Sequence, residues 1–226
     1  MSIFHPFINF SKRDWALWLI SIVVVLASNL LSPEFDILIL IAALVGVTSL
    51  ILAAKGNVWA QILMVLFSIL YGIISFRFRY WGEMITYLGM TMPMAVWSAI
   101  VWFRNPSEKA GEVKIGTMTR HKWWRVMKES MAVTIFFYLI LKHFDTPNLG
   151  FSTLSITTSF IAASLTILRS PYFALFYAAN DVVLIVLWVM ATMVNPVYFP
   201  VIINFVIFLI NDLYGFISWR RRSNEQ

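Results

Sequence analysis

Residues 36–54 read DILILIAALVGVTSLILAA, and no charged side chain follows Asp36 in this stretch. A helix that crosses the hydrocarbon core of a bilayer needs about 20 mostly apolar residues, and this stretch has that length. Strands of a membrane barrel alternate between apolar and polar residues, whereas this run is continuously apolar. It therefore predicts a transmembrane helix.

The composition of the whole chain agrees with this one segment. Of its 226 residues, 60% are hydrophobic and 12% are charged, whereas a soluble domain has about 45–50% apolar and about 25% charged residues. The chain has no cysteine, which excludes disulfides and thiolate chemistry. The first 14 residues show no cleavage pattern, so we expect no signal peptide.

Seven further segments have a similar character, which predicts an all-α polytopic membrane protein with eight transmembrane helices. The fifth of them is the weakest, because its apolar stretch is short and begins with a charge. The eight predicted spans are Trp15–Leu31, Asp36–Ala54, Val58–Phe76, Met84–Phe103, Lys128–His143, Phe151–Leu168, Pro171–Val194 and Val197–Trp219.

The basic residues predict the orientation of these helices, because cytoplasmic loops are rich in Lys and Arg. With the N-terminus in the cytoplasm, eight crossings place fourteen cations on the cytoplasmic side and three, namely Arg77, Arg79 and Lys142, outside. We therefore expect both termini to lie in the cytoplasm. The net charge of +6 then reflects topology, and no nucleic-acid partner is needed.

The second to fourth segments resemble the last three. A shift of 114 residues places Lys55 on Arg169 and Trp59 on Phe173. Parallel repeats of this kind are a transporter design, with the substrate site between the repeats. We predict an N-terminal segment and extra helix (1–35), a first three-helix repeat (36–104), a loop and connecting helix (105–150), and a second repeat with the tail (151–226).

Ionisable residues at membrane depth are costly, which makes Asp181 and its neighbour Asn180 candidates for a site. A structural hydrogen bond is an equally good interpretation of Asp181, and for Asp212 a structural role is favoured. Other polar side chains at depth commonly join helices; they are Gln61, Ser68, Tyr71, Thr86, Tyr87, Thr91 and Asn204.

Aromatic residues make up 16% of the chain, and many lie at helix ends, where rings favour the membrane interface. Rings away from the ends could instead stack on a planar or cationic heterocycle. The candidates are Trp97, Phe173, Phe176 and Trp188, and contact with lipid or core is the alternative for each. The chain has no HExxH, GxSxG or P-loop motif, so we expect neither an enzyme nor a cofactor.

Several motifs resemble the PnuC family of vitamin transporters. Residues 211–219 (NDLYGFISW) are similar to the family's N-x-x-Y-G-x-x-x-W pattern, and residues 54–56 to its A-K-G turn. Leu70-Tyr71, residues 80–84 and Pro93-Met94 resemble its L-Y…Y-G-E-M…P-M block, and Asn180-Asp181 matches a pair in the penultimate helix. The resemblance covers residues 36–222.

The resemblance implies a three-plus-one-plus-three bundle like that of the SWEET sugar transporters. It implies facilitated diffusion of a vitamin precursor or nucleoside such as nicotinamide riboside, with thiamine, riboflavin or deoxyribonucleosides as related cargoes. It also implies a location in the bacterial cytoplasmic (inner) membrane. The expected partners are a small heterocyclic substrate and membrane lipid, with a homo-oligomer as an open alternative. The predicted binding residues are Gln61, Tyr71, Trp97, Phe173, Phe176, Asn180, Asp181 and Asn211.

The sequence departs from the nicotinamide riboside subgroup at two places. Phe173 and Phe176 stand where that subgroup has a W-x-x-W pair, and Ala95 stands where it has Gln. These changes keep an aromatic platform but remove hydrogen-bonding groups, which makes another flat cargo an open alternative. A substrate-binding subunit of an ATP-driven importer is a second alternative, and it would need partner subunits.

Overall fold

The computed structural model describes residues 6–32, 34–77 and 81–225, and these residues form an all-helical bundle. Three residues on which sequence predictions rest lie outside the described residues. They are Pro33 of a predicted turn, Arg79 of the predicted outer cations and Tyr80 of a family motif. Eight helices cross the bundle: α1 (Lys12–Leu30), α2 (Ile37–Ala54), α3 (Trp59–Arg77), α4 (Trp81–Phe103), α5 (Arg120–His143), α6 (Leu149–Ile167), α7 (Tyr172–Val194) and α8 (Phe199–Glu225). The predicted fold class is confirmed.

Seven of these helices are long and apolar enough to cross a membrane, and α5 is the exception among the described residues. The prediction started α5 at Lys128, but the helix begins eight residues earlier, at Arg120. Its true start is set by Thr119, whose side chain accepts a hydrogen bond from the Lys122 N–H and caps the helix. The first two turns of α5 therefore include the charged residues Arg120, Lys122 and Arg125.

The first and last helices also extend beyond their predicted ends. Ser11 and Asp14 form a capping box that starts α1 at Lys12 instead of Trp15. The last helix, α8, continues to Glu225, six residues past Trp219. Its extension is stabilised by Arg222, which pairs with Glu112 at 3.0 Å and donates to the Val113 carbonyl at 2.9 Å.

The two sets of three helices, α2–α4 and α6–α8, which we call the triplets, are joined at corresponding places. Helix α2 packs on α8, and α4 packs on α6. The indole N–H of Trp219 donates to the Ala53 carbonyl at 2.8 Å, and that of Trp102 donates to the Thr166 carbonyl at 2.9 Å. Each triplet therefore donates one buried hydrogen bond to the other.

The turns within the two triplets show how the repeats correspond. Gly56 and Arg169 both have left-handed backbone, with φ of 66° and 56°. The structure therefore pairs Arg169 with Gly56, not with Lys55, so the predicted shift was one residue too long in this region. Glycine reaches this conformation without steric cost, whereas arginine does not.

The linker 104–119 contacts both of these turns. The Val113 N–H donates to the Gly56 carbonyl and the Gly116 N–H to the Arg169 carbonyl, each at 2.9 Å. A Cβ atom on Gly116 would lie 2.1 Å from the Leu168 carbonyl oxygen, so only glycine fits there. The linker thereby closes one end of the bundle, which we call the basic end because the fourteen cations of the cytoplasmic set lie on or near it.

Helix α1 lies outside the triplets and is attached to α8 by polar pairs. The Tyr214 hydroxyl donates to Asp14 at 2.6 Å, and Lys55 of α2 pairs with the same carboxylate at 3.1 Å. Farther along, the Asn211 amide donates to the Ser21 hydroxyl at 3.0 Å. These buried polar contacts fix α1 on the bundle, as interhelical hydrogen bonds commonly do in membranes.

The two indole hydrogen bonds give a testable prediction for stability. Trp102→Phe and Trp219→Phe keep an aromatic ring but remove the indole donor, so that each carbonyl keeps only its backbone partner, the Arg169 or the Gly56 N–H. The loss of one such hydrogen bond costs about 0.5–1.5 kcal/mol. Each variant should lower the melting temperature of the detergent-purified protein, and by similar amounts because the two positions correspond. Trp97→Phe is the matched control, because this ring is 59% exposed. An equal loss in the control would contradict the role of the indole N–H groups.

Candidate functional site

A cavity of about 570 Å³ lies between the triplets. Its walls come from all three helices of each triplet and from Leu141 of α5. The cavity reaches the end of the bundle opposite the basic end, where Thr146, Asn148 and Asn195 line it. Both triplets therefore contribute to one shared chamber. Its polar lining in the centre of the bundle consists of Glu83, Thr86, Tyr87, Thr91, Ser155, Ser159, Tyr177, Asn180, Asp181 and Asp212.

The register of α7 and α8 determines which side chains face the cavity. On α7 the lining residues include Tyr177, Asn180, Asp181, Leu184 and Trp188, which recur at helical spacing. On α8 they are Phe205, Phe208 and Asp212. One stripe of each helix therefore carries both the aromatic and the polar parts of the wall.

Helix α4 enters the cavity wall through a π-helical segment, Tyr87–Thr91. Pro93 follows directly, and proline has no N–H to donate within a helix. The Met92 N–H instead reaches the Tyr87 carbonyl, five residues back. Such wider turns are frequent at functional sites, and this one carries the Tyr87 and Thr91 side chains to the cavity.

Asn180 has a fixed orientation in the wall. Its Oδ1 accepts hydrogen bonds from the Ser155 hydroxyl at 2.9 Å and the Thr158 hydroxyl at 3.0 Å. Both donors lie on α6, and the Asn180 side chain is buried. Since both bonds engage the carbonyl oxygen, the Nδ2 amide group is left as the donor available to a molecule in the cavity.

Two carboxyl groups meet at the inner part of the cavity. Asp181 of α7 and Asp212 of α8 are each 5% exposed and are hydrogen-bonded to each other. No N–H or hydroxyl donor from the described chain reaches Oδ2 of Asp181. Since both partners are carboxyl groups, a hydrogen bond between them requires a proton on one of the two.

A third acid lies on the opposite wall. Glu83 of α4 is hydrogen-bonded to Tyr71 of α3, whose ring lies 4.4 Å from that of Tyr87. Phe67 stacks on Tyr71 at 5.6 Å and contacts Phe208 at 6.2 Å. This side of the cavity thus combines a carboxyl group with a cluster of rings.

Of the eight predicted binding residues, Asn180 and Asp181 line the cavity. Tyr71 lies behind it, in contact with Tyr87, and lines a second cavity of about 380 Å³ near α1. Asn211 points to α1, where its amide donates to the Ser21 hydroxyl. Adjacent residues on a helix point in directions about 100° apart. The next residue, Asp212, therefore faces the cavity in its place.

The structure places the other four predicted residues away from the lining formed by the described chain. Phe173 is buried at the basic end, 5.0 Å from the Trp219 ring, and Phe176 packs on Trp123 at 6.4 Å. Gln61 is buried on α3, and Trp97 is largely exposed on α4. Phe173 lies on the same stripe of α7 as Tyr177, but one turn below the floor of the cavity.

The sequence analysis did not select Asp212, Glu83, Tyr87 or Tyr177 as binding residues. A signal for Asp212 was present, since Phe205, Phe208 and Asp212 recur at three- and four-residue spacing on α8. Glu83 and Tyr87 depend on the π-helical segment, and a regular helix would have rotated them differently. No simple pattern in the sequence marks Tyr177.

The basic end of the cavity is closed by packed aromatic residues. The rings of Trp102 and Trp219 lie 5.5 Å apart, with Phe173 against both. Val113 of the linker is 2% exposed in the same cluster, and the Arg222 guanidinium lies 5.0 Å over the Trp219 ring. The structure is therefore accessible from one end and sealed at the other.

Comparison with known proteins places this bundle and cavity among transporters. The family model for the nicotinamide mononucleotide transporter matches residues 36–221. A nicotinamide riboside transporter PnuC from Neisseria mucosa is 25% identical over 187 residues, covering 80% of this chain and 71% of the relative. A crystal structure of the vitamin B3 transporter PnuC shares the fold, with a TM-score of 0.81 and 22% identity over 94% of this chain and 92% of that chain.

The family match covers most of the chain, including both triplets, the connecting helix and every residue of the central polar lining. It confirms the resemblance inferred from the motifs in α2, α4, α7 and α8. The chain is a multi-pass membrane transporter, and it belongs to the nicotinamide mononucleotide transporter family.

Proposed function

We propose that this protein carries a small, flat heterocyclic vitamin precursor, nicotinamide riboside or a close chemical relative, across the membrane by facilitated diffusion. The observation that supports this most is the shared cavity between the triplets, the position at which transporters built from repeats bind their cargo. Its volume of about 570 Å³ lies within the range of small-molecule sites, about 300–1,000 Å³. The relative named above is a nicotinamide riboside transporter.

The walls of the cavity suit a planar ring with a polar edge. Phe67, Phe208, Tyr87 and Tyr177 provide flat apolar faces, and aromatic rings prefer to stack or meet edge to face. The Nδ2 group of Asn180 provides a fixed donor, so a carbonyl or ring nitrogen of the cargo would accept from it. In this proposal Phe173 and Phe176 support the floor below the cargo and do not touch it.

Thiamine, riboflavin and deoxyribonucleosides are related cargoes that the same cavity could accept. The three lining carboxyl groups favour cationic molecules among them, so thiamine is the second candidate after nicotinamide riboside. The positive charge of both molecules lies in a flat aromatic ring. A ring of this kind meets both requirements of the wall, stacking and charge.

We place the basic end in the cytoplasm of a bacterial cell, which puts both termini there. Asn9, the linker and the α8 tail are hydrogen-bonded together at this end, and basic loops stay in the cytoplasm. Helix α5 then crosses the membrane as the connector between the triplets. Its outer half exposes Met131, Ile135, Phe136 and Leu139, an apolar stripe suited to lipid.

We also propose that the chain divides after residues 35, 104 and 150 into the N-terminal segment, the first repeat, the loop with the connecting helix, and the second repeat. In this proposal the two triplets move relative to each other. The cavity is sealed at the basic end, so release into the cytoplasm requires the triplets to separate there. Separation would break the indole bonds of Trp102 and Trp219 and the linker contacts to Gly56 and Arg169. Assembly into a homo-oligomer stays a prediction.

A binding test follows from the cavity. The detergent-purified protein should be stabilised against heat by nicotinamide riboside or thiamine, since a ligand specific for the folded state at a hundredfold excess over Kd adds about 2.7 kcal/mol. Riboflavin and ribo- and deoxyribonucleosides complete the panel. No shift with any member would contradict the proposal.

Two asparagines on the same triplet provide matched variants for this test. Asn180→Ala should weaken binding of the stabilising cargo about fivefold, because one hydrogen bond is worth about 1 kcal/mol. Asn211→Ala should lower stability but leave Kd unchanged, because its side chain binds Ser21 of α1. The reverse pattern would remove Asn180 from the site.

The proposed topology can be tested with single cysteines, since the native chain has none. A membrane-impermeant maleimide should label Gly150→Cys in intact cells, because a side chain at position 150 meets no atom within 4 Å. Glu108→Cys, in the exposed part of the linker, should react only after permeabilisation. Equal labelling of both from outside would show that α5 does not cross the membrane.

A further inference from the structure

The ionisable groups that face the cavity are all acids. Glu83, Tyr87, Tyr177, Asp181, Tyr198 and Asp212 belong to the lining, and the described lining contains no lysine, arginine or histidine. Helices α2, α3, α5 and α6 contribute glycine, apolar and hydroxyl side chains there. Among the described residues, no cation therefore faces the cavity to neutralise a carboxylate.

Within this group the Asp181–Asp212 pair occupies a special position. Both carboxyl groups are nearly completely buried, and they are hydrogen-bonded to each other across the boundary between α7 and α8. Oδ2 of Asp181 receives no N–H or hydroxyl donor from the described chain. A buried charge without a partner is costly, so an empty cavity favours protons on this pair.

The described neighbours of the two carboxyl groups supply no positive charge either. Tyr177 lies near both carboxyl groups, and its hydroxyl is engaged with Thr166. Tyr87 lies near Asp181 and Glu83, and Glu83 is itself hydrogen-bonded to Tyr71. Each of these groups is neutral or negative, so none of them supplies the missing positive charge.

We propose that Asp181 and Asp212 form a cation subsite at which the positive charge of the cargo takes the place of one proton. When a cationic heterocycle enters, one carboxyl O–H bond breaks and the proton passes to water, while the carboxylate that remains pairs with the cargo. The net charge of the occupied site is then the same as that of the empty site. This inference rests on the proposed function and deepens it, because it assigns the cargo to the class of cations.

The proposed subsite should distinguish a cationic molecule from a neutral molecule of nearly the same shape. Nicotinamide riboside carries a positive pyridinium ring, and its reduced form, dihydronicotinamide riboside, has nearly the same outline without the charge. The cation should bind more tightly as pH rises, because the proton that it displaces is then easier to lose. The neutral form should bind with the same affinity at every pH at which the fold is intact.

The test is isothermal titration calorimetry on the full-length detergent-purified protein between pH 6 and pH 8. The probes are nicotinamide riboside, thiamine and dihydronicotinamide riboside, each in two buffers of different ionisation enthalpy. We expect about one proton released per bound cation and an affinity gain of up to about tenfold per pH unit. The neutral form should release none. A cation that binds without proton release would overturn the inference.

Two conservative variants locate the effect. Asp181→Asn and Asp212→Asn keep the shape of the side chain, and each should weaken cation binding at least tenfold at pH 8. The double variant should also abolish proton release. Binding of a neutral probe should change little. Glu129→Gln is the control, because this carboxyl group pairs with Arg125 on the exposed face of α5. If the double variant does not fold, the single variants decide, because cation binding at pH 8 that is unchanged in both of them would overturn the subsite.

The outcomes separate this inference from the proposed function. Binding of riboflavin or a neutral nucleoside, with no binding of either cation, would overturn the cation subsite and leave a heterocycle transporter. Binding of none of the probes would overturn the proposed function as well. Release of a proton by cations in the native protein but also in the double Asn variant would move the exchange to another group and refute the assignment to this pair.

Discussion

Two indole N–H groups hold the triplets together at the basic end. Trp219 donates to a carbonyl at the end of α2, and Trp102 donates to the corresponding carbonyl of α6. The linker adds one hydrogen bond to each triplet beside these contacts, through the carbonyls of Gly56 and Arg169. The cavity is closed at this end, where the triplets are joined, and it reaches the opposite end of the bundle. Release of cargo into the cytoplasm, as proposed above, would require these few buried bonds to break.

Polar side chains inside the bundle serve two purposes, and the face of the helix decides which. On α8, Asn211 points outward and fastens α1, whereas its neighbour Asp212 faces the cavity. On α7, Asn180 is held by hydroxyl groups of α6 so that its amide donor remains free for cargo. The Asp181–Asp212 pair differs from these asparagines, because Oδ2 of Asp181 receives no N–H or hydroxyl donor from the described chain, and a cationic cargo is the partner proposed for it.

The helices could be predicted from the sequence because each run of apolar residues is long and uninterrupted, as in residues 37–54. The family could be predicted from short motifs at helix ends. The binding residues were harder to predict, because an aromatic side chain can stack on a ligand or on other side chains, and the sequence does not show which. Phe173 packs against Trp219 at the basic end of the bundle. Asp212 could have been identified from its spacing to Phe208, whereas the π-helical segment before Pro93 could not.

The most direct test of the account asks whether cargo occupies the cavity. Ser159 lines it on α6, so Ser159→Cys should react with a small maleimide from the open end, and saturating cargo should slow that reaction strongly. Gly150→Cys, on the same helix but outside the lining, is the control, and its rate should not change. Equal rates at position 159 with and without a cargo that stabilises the protein would show that the cargo binds elsewhere.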